Sequence, residues 1–285
     1  MVYIKPLFAP ARSEYEEADV VILGVPLERS VSFRTGCRFA PGAIREASRG
    51  LEWYSYQHDL DLADVPICDM GDLDTNMPLN DLKRVLGGVI GDILRDGKLP
   101  VVIGGEHTIS TLTVPSTGVD AAIILDAHLD LRDTYGGDRN SHATVSRRIA
   151  EVLGSENLVI LGVRSGSKEE FEYAESEGVL YYTSVDLQSG VKEVIGELRS
   201  RLGERIYISL DMDVLDPSYA PAVSNPEPYG ITPSLVRELI LKLADRVAGF
   251  DIVEIAPPYD RGLTALLGAR FIIDLIHSYM GGGTR

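Results

Sequence analysis

Six histidine and aspartate residues, which can bind divalent cations, lie in three short segments of the sequence. The segments are Gly104-Gly-Glu-His107, Asp126-Ala-His-Leu-Asp130 and Asp211-Met-Asp213. A carboxylate-rich set with two histidines favours Mn²⁺ over structural zinc, which prefers thiolates. Two ions can share six ligands if carboxylates and a water bridge them at about 3.5–4 Å, and such a water is largely hydroxide near neutral pH. The residues therefore predict a two-metal hydrolytic site, whose ligands are His107, Asp126, His128, Asp130, Asp211 and Asp213.

Each of these segments directly follows an apolar run that predicts a buried strand. The runs cover residues 99–103, 121–125 and 206–210. The carboxyl ends of parallel strands line the ligand crevice of an open α/β sheet. Side chains at i and i+2 of a strand point the same way, so the residues of each segment share a direction if the extended conformation persists. The Asp211-Met-Asp213 motif alone also occurs as a loop cap or a solvated acid, and the joint placement of the three segments after strands favours the metal site.

Strand-like and helix-like segments alternate along the rest of the chain. Further strands are predicted at 20–25, 66–70, 158–163, 179–182 and 250–255. Helices are predicted between Asn80 and Gly97, at 143–153, from Ser167, at 191–202, from Thr232 and at 263–279. This alternation predicts an α/β fold, with a single three-layer α/β/α domain over residues 1–285 and a mostly parallel sheet of about eight strands. The glycine-rich end at 281–285 is expected to be loose.

The composition restricts the kind of partner and compartment. A formal charge of −16 argues against nucleic acid or an anionic membrane as a partner and suits a cationic substrate. Two cysteines, Cys37 and Cys68, are too few for a disulfide framework. The first ten residues lack the apolar stretch of a signal peptide, and no run approaches the ~20 apolar residues of a transmembrane helix. We therefore expect a cytoplasmic protein.

The three segments that contain the candidate metal ligands, together with several other segments, resemble the ureohydrolase family. This family contains arginases, agmatinases and related amidinohydrolases. The other segments are Gly24-Val-Pro26, residues 32–41, Ile44-Arg45, residues 209–217 and Glu254-Ile-Ala-Pro-Pro-Tyr-Asp260. The resemblance covers most of the chain. Residues 126–133 and Asn225-Pro-Glu-Pro228 are most similar to the agmatinase branch.

The resemblance implies an arginase-like fold, two Mn²⁺ per chain and a small guanidino substrate. One ion would be held by His107, Asp126, Asp130 and Asp211, and the other by Asp126, His128, Asp211 and Asp213. A hydroxide between the ions, oriented by Asp130, would attack the guanidinium carbon and release urea and a primary amine. The resemblance also implies a homo-oligomer, either a trimer or a hexamer.

Two further residues receive catalytic roles from the resemblance. Glu254 would accept hydrogen bonds from the guanidinium group, and His142 would carry a proton to the leaving amine. Each also has a structural interpretation: Glu254 as a buried acid at a strand end, and His142 as the first residue of a helix. His277, in an apolar helical segment, is interpreted as structural.

The sequence departs from the family pattern beside the expected site. Ala143 follows His142 where glycine is frequent, and Ala222, Ser224 and Tyr229 stand where the loop at 221–230 usually has glycines. If one of those positions needs a positive φ, the loop must follow a different path. These departures concern the fit of the substrate and leave the metal ligands intact.

The expected substrate is agmatine, which would yield putrescine in polyamine biosynthesis. Arg132 stands where arginases of the family have an asparagine, which disfavours arginase. A cation there would favour a substrate with a carboxylate tail, such as guanidinobutyrate, unless it pairs with Asp133 or Asp138. The sequence also leaves open a formimidoylglutamase-like enzyme, a deacetylase-like enzyme with one zinc ion and a non-catalytic homologue.

Overall fold

The computed structural model describes residues 7–282, and an eight-stranded parallel sheet runs through them. The order of the strands is β4-β1-β5-β10-β9-β6-β7-β8. Their bounds are β1 Val20–Val25, β4 Ile67–Asp72, β5 Leu99–Gly104, β6 Ala121–Leu125, β7 Leu158–Val163, β8 Leu180–Thr183, β9 Ile206–Asp211 and β10 Val247–Val253. A small antiparallel hairpin joins β2 Tyr54–Ser55 to β3 Leu60–Asp61. The predicted eight-stranded sheet is confirmed.

Helices cover both faces of the sheet, as predicted. They are α1 Ala40–Ser48, α2 Leu79–Arg95, α3 Ser110–Thr113, α4 Val145–Leu153, α5 Lys168–Glu177, α6 Ser184–Arg201, α7 Pro233–Leu243 and α8 Leu263–Met280. Apolar residues of α1, α6, α7 and α8 form one core layer with the sheet. Those of α2, α3, α4 and α5 pack against the opposite face.

Alternate residues of one strand explain the two core layers. In β6, Ile123 and Leu125 point into the layer of α6 and α8, whereas Ala122 and Ile124 point into the layer of α4. A strand with helices on both sides is apolar at most positions, which is why the central strands appear as largely apolar runs in the sequence. All six residues of β5 and of β9 are buried.

The C-terminal helix α8 is long and apolar enough by composition to cross a membrane, at 18 residues. Most of it is buried, however, and it packs between α1 and α7 in the core layer described above. It is therefore a core helix, and His277 within it is buried, with its Nε2 atom 2.8 Å from the carbonyl oxygen of Trp53.

Several boundaries differ from the predicted ones. The helix predicted at 191–202 begins at Ser184, because Thr183 caps it and Gly190 kinks it without ending it. The last strand covers 247–253 instead of 250–255, and Glu254 follows it with a φ of 64°. Val152, predicted to lie on the apolar face of its helix, is exposed. The hairpin and the short helix α3 were not predicted. Of the loose end predicted at 281–285, residues 283–285 lie outside the described residues.

Candidate metal centre

The six predicted ligands lie at the carboxyl ends of three strands that are close neighbours in the sheet. His107 follows β5, Asp126 follows β6, and Asp211 is the last residue of β9. In the sheet, β9 lies directly beside β6, and β10 lies between β9 and β5. Glu254 follows β10, so all of these side chains share one edge of the sheet. The topology brings together residues that are up to 147 positions apart in the sequence.

Two groups of side chains converge on this edge, and Asp126 belongs to both. In the first group, Nδ1 of His107 lies 3.1 Å from Asp126 Oδ2, 3.3 Å from Asp211 Oδ2 and 3.4 Å from Asp130 Oδ2. In the second group, Nδ1 of His128 lies 3.1 Å from Asp213 Oδ2 and 3.4 Å from Asp126 Oδ1. Within each of the sets His107-Asp126-Asp130 and Asp126-His128-Asp213, the donor atoms lie within 4.8 Å of one another.

Two of the buried donor atoms fit a divalent cation because no hydrogen bond satisfies them. Among the described residues, His107 Nδ1 and Asp126 Oδ2 are buried without a hydrogen-bond partner. Burial and the charge of Asp126 raise the pKa of Asp130 to about 7, and burial with two neighbouring carboxylates raises the pKa of Asp211 well above its ordinary range. Acids packed this closely need positive charge between them. The cluster therefore suits cations held by imidazole and carboxylate ligands.

Tight turns orient these side chains, so the extended conformation on which their shared direction depended does not persist. Residues 212–214 form a 3₁₀ turn in which Asp211 Oδ1 accepts a hydrogen bond from the backbone N–H of Asp213 at 2.9 Å. Asp126 Oδ1 likewise accepts from the N–H of His128 at 2.6 Å. Asp130 has a φ of 51°, a left-handed conformation that costs about 1–3 kcal/mol for a residue with a side chain. The convergence arises from these turns, and the i, i+2 alternation of a strand does not produce it.

The second nitrogen of His107 is held by a buried polar chain that was not predicted from the sequence. Nε2 of His107 lies 3.0 Å from Ser209 Oγ, which donates to Asp251 Oδ1 at 2.6 Å. Ser110 and Tyr207 also donate to Asp251, which is fully buried. This chain directs Nδ1 of His107 towards the carboxylates. The sequence does contain a signal for this polar chain, which is Asp251 inside the apolar run 250–253. A buried acid requires hydrogen-bond partners.

Glu254 lies beside the metal-type cluster with one carboxylate oxygen free. Oε1 accepts a hydrogen bond from the N–H of His107 at 2.6 Å. Oε2 is buried and has no hydrogen-bond partner among the described residues. Burial raises the pKa of Glu254 to about 8, against the lowering effect of Ser224 and of the His107 N–H. Glu254 lines the cleft described below, where a guanidinium group could donate to its carboxylate.

His142 lies across the same cleft, in a 3₁₀ turn before α4. Its Nδ1 atom lies 3.0 Å from Ser30 Oγ, and its Nε2 atom lies 3.3 Å from Ser32 Oγ. The edge of the Tyr135 ring packs against it, with ring centroids 5.4 Å apart. Burial lowers the pKa of His142 from its ordinary value, so the neutral imidazole dominates near neutral pH.

One cleft of about 400 Å³ contains the metal-type side chains, Glu254 and His142. Of the predicted site residues, only Asp126 lies beneath the surface of the cleft instead of lining it. The wall of the cleft carries positive and negative side chains, which are Arg132, Glu170 and Glu227. A small molecule with a cationic head can enter such a cleft and reach the carboxylates.

Arg132 does not pair with Asp133 or Asp138, the two partners considered from the sequence. Its Nε atom forms an ion pair with Glu170 Oε2 at 3.2 Å. Asp133 instead contacts Arg139 and Arg148, and Asp138 contacts Arg29. Neither acid lines the cleft. The charge of Arg132 is therefore compensated, but by a residue of α5.

Arg164 fastens the loop at 221–230 to the segment that carries Asp213. Its guanidinium group donates to the carbonyl oxygens of Gly162, Asp213, Val214, Leu215, Glu227 and Pro228. In the loop, Tyr229 has a φ of 66° and an exposed side chain, whereas Ala222 and Ser224 are buried without a positive φ. Only Tyr229 thus occupies a conformation that favours glycine.

Comparison with known proteins identifies the family. The family model described as "Arginase family" matches residues 18–277. The agmatinase of Bacillus subtilis (strain 168) is 37% identical over 289 residues, 98% of each chain. The mitochondrial guanidino acid hydrolase of Homo sapiens is 33% identical over 94% of this chain and 80% of its own length.

A solved structure agrees with the sequence relatives. The crystal structure of the agmatine ureohydrolase of Thermoplasma volcanium matches 98% of this chain and 96% of its own, with a TM-score of 0.94 and 37% identity. The resemblance and the fold expected from the sequence are both confirmed. This chain, with its sheet edge of histidines and aspartates, belongs to the arginase family.

Proposed function

We propose that this protein is a hydrolase of linear amidines that converts agmatine and water into putrescine and urea at a binuclear manganese centre. The observation that carries the proposal is the convergence of two groups of metal-type ligands on one shared carboxylate, Asp126, beside the free oxygen of Glu254. The full-length similarity to agmatinases supports the same reaction.

The proposed ligands divide into two overlapping sets. His107 and Asp130 would hold one ion, His128 and Asp213 the other, and Asp126 and Asp211 would be shared. When bound, two such ions would supply the nucleophile, because a water shared by two divalent cations loses a proton near neutral pH. Asp130 lines the cleft, where its carboxylate can accept a hydrogen bond from that water and orient it.

The remaining chemistry concerns the guanidinium group and one proton. The free Oε2 of Glu254 would accept a hydrogen bond from a guanidinium nitrogen and hold the carbon beside the metal ligands. The C–N bond to the leaving amine breaks as that nitrogen gains a proton. His142 would deliver the proton, since it lines the cleft and its lowered pKa makes it a ready donor once protonated.

The charges of the cleft favour agmatine over a guanidino acid. Arg132, the cation that would attract a carboxylate tail, is already paired with Glu170. The side chain of Glu227 is 36% exposed on the cleft wall, and its Oε2 atom lies 4.0 Å from His128 Nε2. An ammonium tail can pair with Glu227 without displacing an existing arginine.

Two other functions predict different metal content or no activity. A deacetylase-like enzyme would bind one zinc ion, whereas His107 and Asp213 here belong to two separate ligand groups. A non-catalytic homologue has no need for the free oxygen of Glu254 or for His142 in the same cleft.

The deciding experiment is urea release by the Mn²⁺-loaded protein with agmatine, arginine and 4-guanidinobutyrate in parallel. Metal content is measured on the same sample, and an Asp126→Asn variant is the control. We expect two manganese ions per chain, urea from agmatine, and none from the variant. Two bound metals with no urea from any substrate would overturn the proposal.

The oligomeric state, the compartment, the kind of partner and the domain organisation are proposed as well. We infer a homo-oligomer, either a trimer or a hexamer, which light scattering of the purified protein tests. We also infer that the protein acts in the cytoplasm on a small molecule and that residues 1–285 form one domain.

A further inference from the structure

His142 is in contact with a second polar chain, which starts from a fully buried carboxylate. Glu106 is 0% exposed, and its side chain accepts four hydrogen bonds. The donors are the backbone N–H groups of Arg29 at 2.5 Å and Ser30 at 2.7 Å, the Ser30 hydroxyl at 2.9 Å and the Thr108 hydroxyl at 2.7 Å. The segment at 29–30 is thereby fixed to the turn that precedes His107.

Ser30 connects this carboxylate to His142 by two contacts. Its Oγ atom accepts a hydrogen bond from the backbone N–H of His142 at 3.0 Å and lies 3.0 Å from the ring nitrogen Nδ1. The first contact alone would be an ordinary cap of the turn at 142–144. The second has no role in capping and reaches the imidazole itself.

The direction of each hydrogen bond follows from what each group can donate. A carboxylate only accepts, so the single O–H of Ser30 points at Glu106. The lone pairs of Ser30 Oγ then face His142, and Nδ1 can approach them at 3.0 Å only as a donor. The proton of the neutral imidazole therefore lies on Nδ1, and Nε2 keeps a free lone pair.

We propose that Glu106, acting through Ser30, is a positioning residue that fixes His142 in the Nδ1–H tautomer with Nε2 facing the cleft. The effect on proton transfer rests on the proposed function, because a proton shuttle must present the same nitrogen to each leaving amine. The tautomer itself is inferred from the hydrogen bonds alone. Histidine in water favours the opposite tautomer, so this arrangement requires the chain of contacts.

Ser32 provides an internal comparison on the other ring nitrogen. Its Oγ atom lies 3.3 Å from Nε2 of His142 and also donates to Asn225 Oδ1 at 3.2 Å. Ser32 is exposed, and its hydroxyl can rotate between these two acceptors. Removal of Ser32 should therefore leave the tautomer unchanged, whereas removal of Ser30 should not.

The first test is nitrogen-15 NMR of the metal-free full-length protein labelled at histidine, above the pKa of His142. The sequence has five histidines, and a His142→Gln variant assigns the signal. We expect a protonated Nδ1 and an unprotonated Nε2 in the wild type and in Ser32→Ala and Ser30→Thr, which keeps the hydroxyl. We expect the opposite tautomer, or a mixture, in Ser30→Ala and Glu106→Gln. A protonated Nε2 in the wild type, or an unchanged tautomer in Ser30→Ala, would overturn the inference.

The second test is the kinetics of the Mn²⁺-loaded variants with agmatine. We expect kcat to fall about 10–100-fold in Ser30→Ala, with little change in KM, and Ser30→Thr to recover most of it. A rise in KM at unchanged kcat would contradict a positioning role. If the wild type releases no urea, the proposed function fails, but the tautomer measured by NMR still decides the hydrogen-bond assignment. Circular dichroism confirms that each variant is folded, and Glu106→Gln provides a separate route if Ser30→Ala does not fold.

Discussion

Arg132 and Glu170 form an ion pair of 3.2 Å on the wall of the cleft that contains the metal-type residues. The carboxylate of Glu170 also accepts hydrogen bonds from the backbone N–H groups of Leu131 and Ser167, so it is held in place at the start of α5. The pair compensates the one feature of the sequence that favoured a guanidino acid. In the proposed function, the choice between an ammonium and a carboxylate tail would thus depend on residues from two distant segments.

Release of Arg132 should change substrate preference. In Glu170→Gln, Arg132 keeps its charge without a carboxylate partner, and we expect kcat/KM for 4-guanidinobutyrate relative to agmatine to rise about fivefold. The change is modest because Arg132 is 41% exposed. Parallel kinetics with the two substrates measure the ratio, and Glu169→Gln, an exposed neighbour in the same helix, is the control. An unchanged ratio would show that the substrate tail does not reach Arg132.

Glu227 should affect the binding of an ammonium tail. We expect Glu227→Gln to raise KM for agmatine about fivefold to tenfold and to leave KM for 4-guanidinobutyrate unchanged or lower, because a half-exposed ion pair contributes about 1 kcal/mol. Steady-state kinetics with both substrates test this. An equal loss for both would mean that the substitution disturbs the loop instead of a charge contact.

Asp126 should be required for both metal positions because it belongs to both ligand groups. We expect Asp126→Asn to lower manganese content below two ions per chain, to weaken metal affinity by more than about 100-fold and to abolish urea release. Elemental analysis and titration calorimetry measure the two metal properties. Asp81→Asn, an exposed acid at the start of α2, should behave as the wild type. Retention of both ions by Asp126→Asn would exclude Asp126 as a shared ligand.

Protons should compete with the metal in a defined direction. The pKa of Asp130 is raised to about 7. Burial lowers the pKa of His107, but the surrounding carboxylates outweigh burial and raise this pKa well above its ordinary value. Both groups must lose a proton to bind a cation, so the affinity for Mn²⁺ should rise from pH 6 to pH 8. Calorimetry in buffers of different ionisation enthalpy should show proton release on binding. An affinity that is constant over this interval would mean that the ligands are already deprotonated.

Arg164 should stabilise the loop at 221–230 more than its charge alone would. A lysine keeps the charge but replaces the planar fork with three donors at one point, so it cannot reach carbonyl oxygens on several sides. We expect Arg164→Lys to lower the free energy of unfolding by about 2–4 kcal/mol and to make residues 221–230 more sensitive to limited proteolysis. Arg95→Lys, at an exposed ion pair, should cost less than about 1 kcal/mol. Equal stability of the two variants would contradict the anchoring role.

The sequence by itself determined the layers of the fold and the chemical type of the site. Strands buried under helices on both sides are apolar at most positions, so β1, β6 and β7 were predicted at their observed bounds. The ligand residues lie at or after the carboxyl ends of the runs that form β5, β6 and β9, and such ends share one edge of a parallel sheet. Thr232 and Ser167, which begin helices, were also identified, because caps are local signals.

The tertiary structure decided how the site is aimed and what surrounds it. The positive φ values of Asp130 and Glu254, and the 3₁₀ turn after Asp211, depend on contacts that no local pattern encodes. The same holds for the partners of His107, His142 and Arg132, which come from residues 38 to 112 positions away in the sequence. A single sequence shows which side chains can donate and accept. Only the packing of the strands decides which of them meet, because a hydrogen bond requires an approach of about 3 Å between segments that the fold alone makes neighbours.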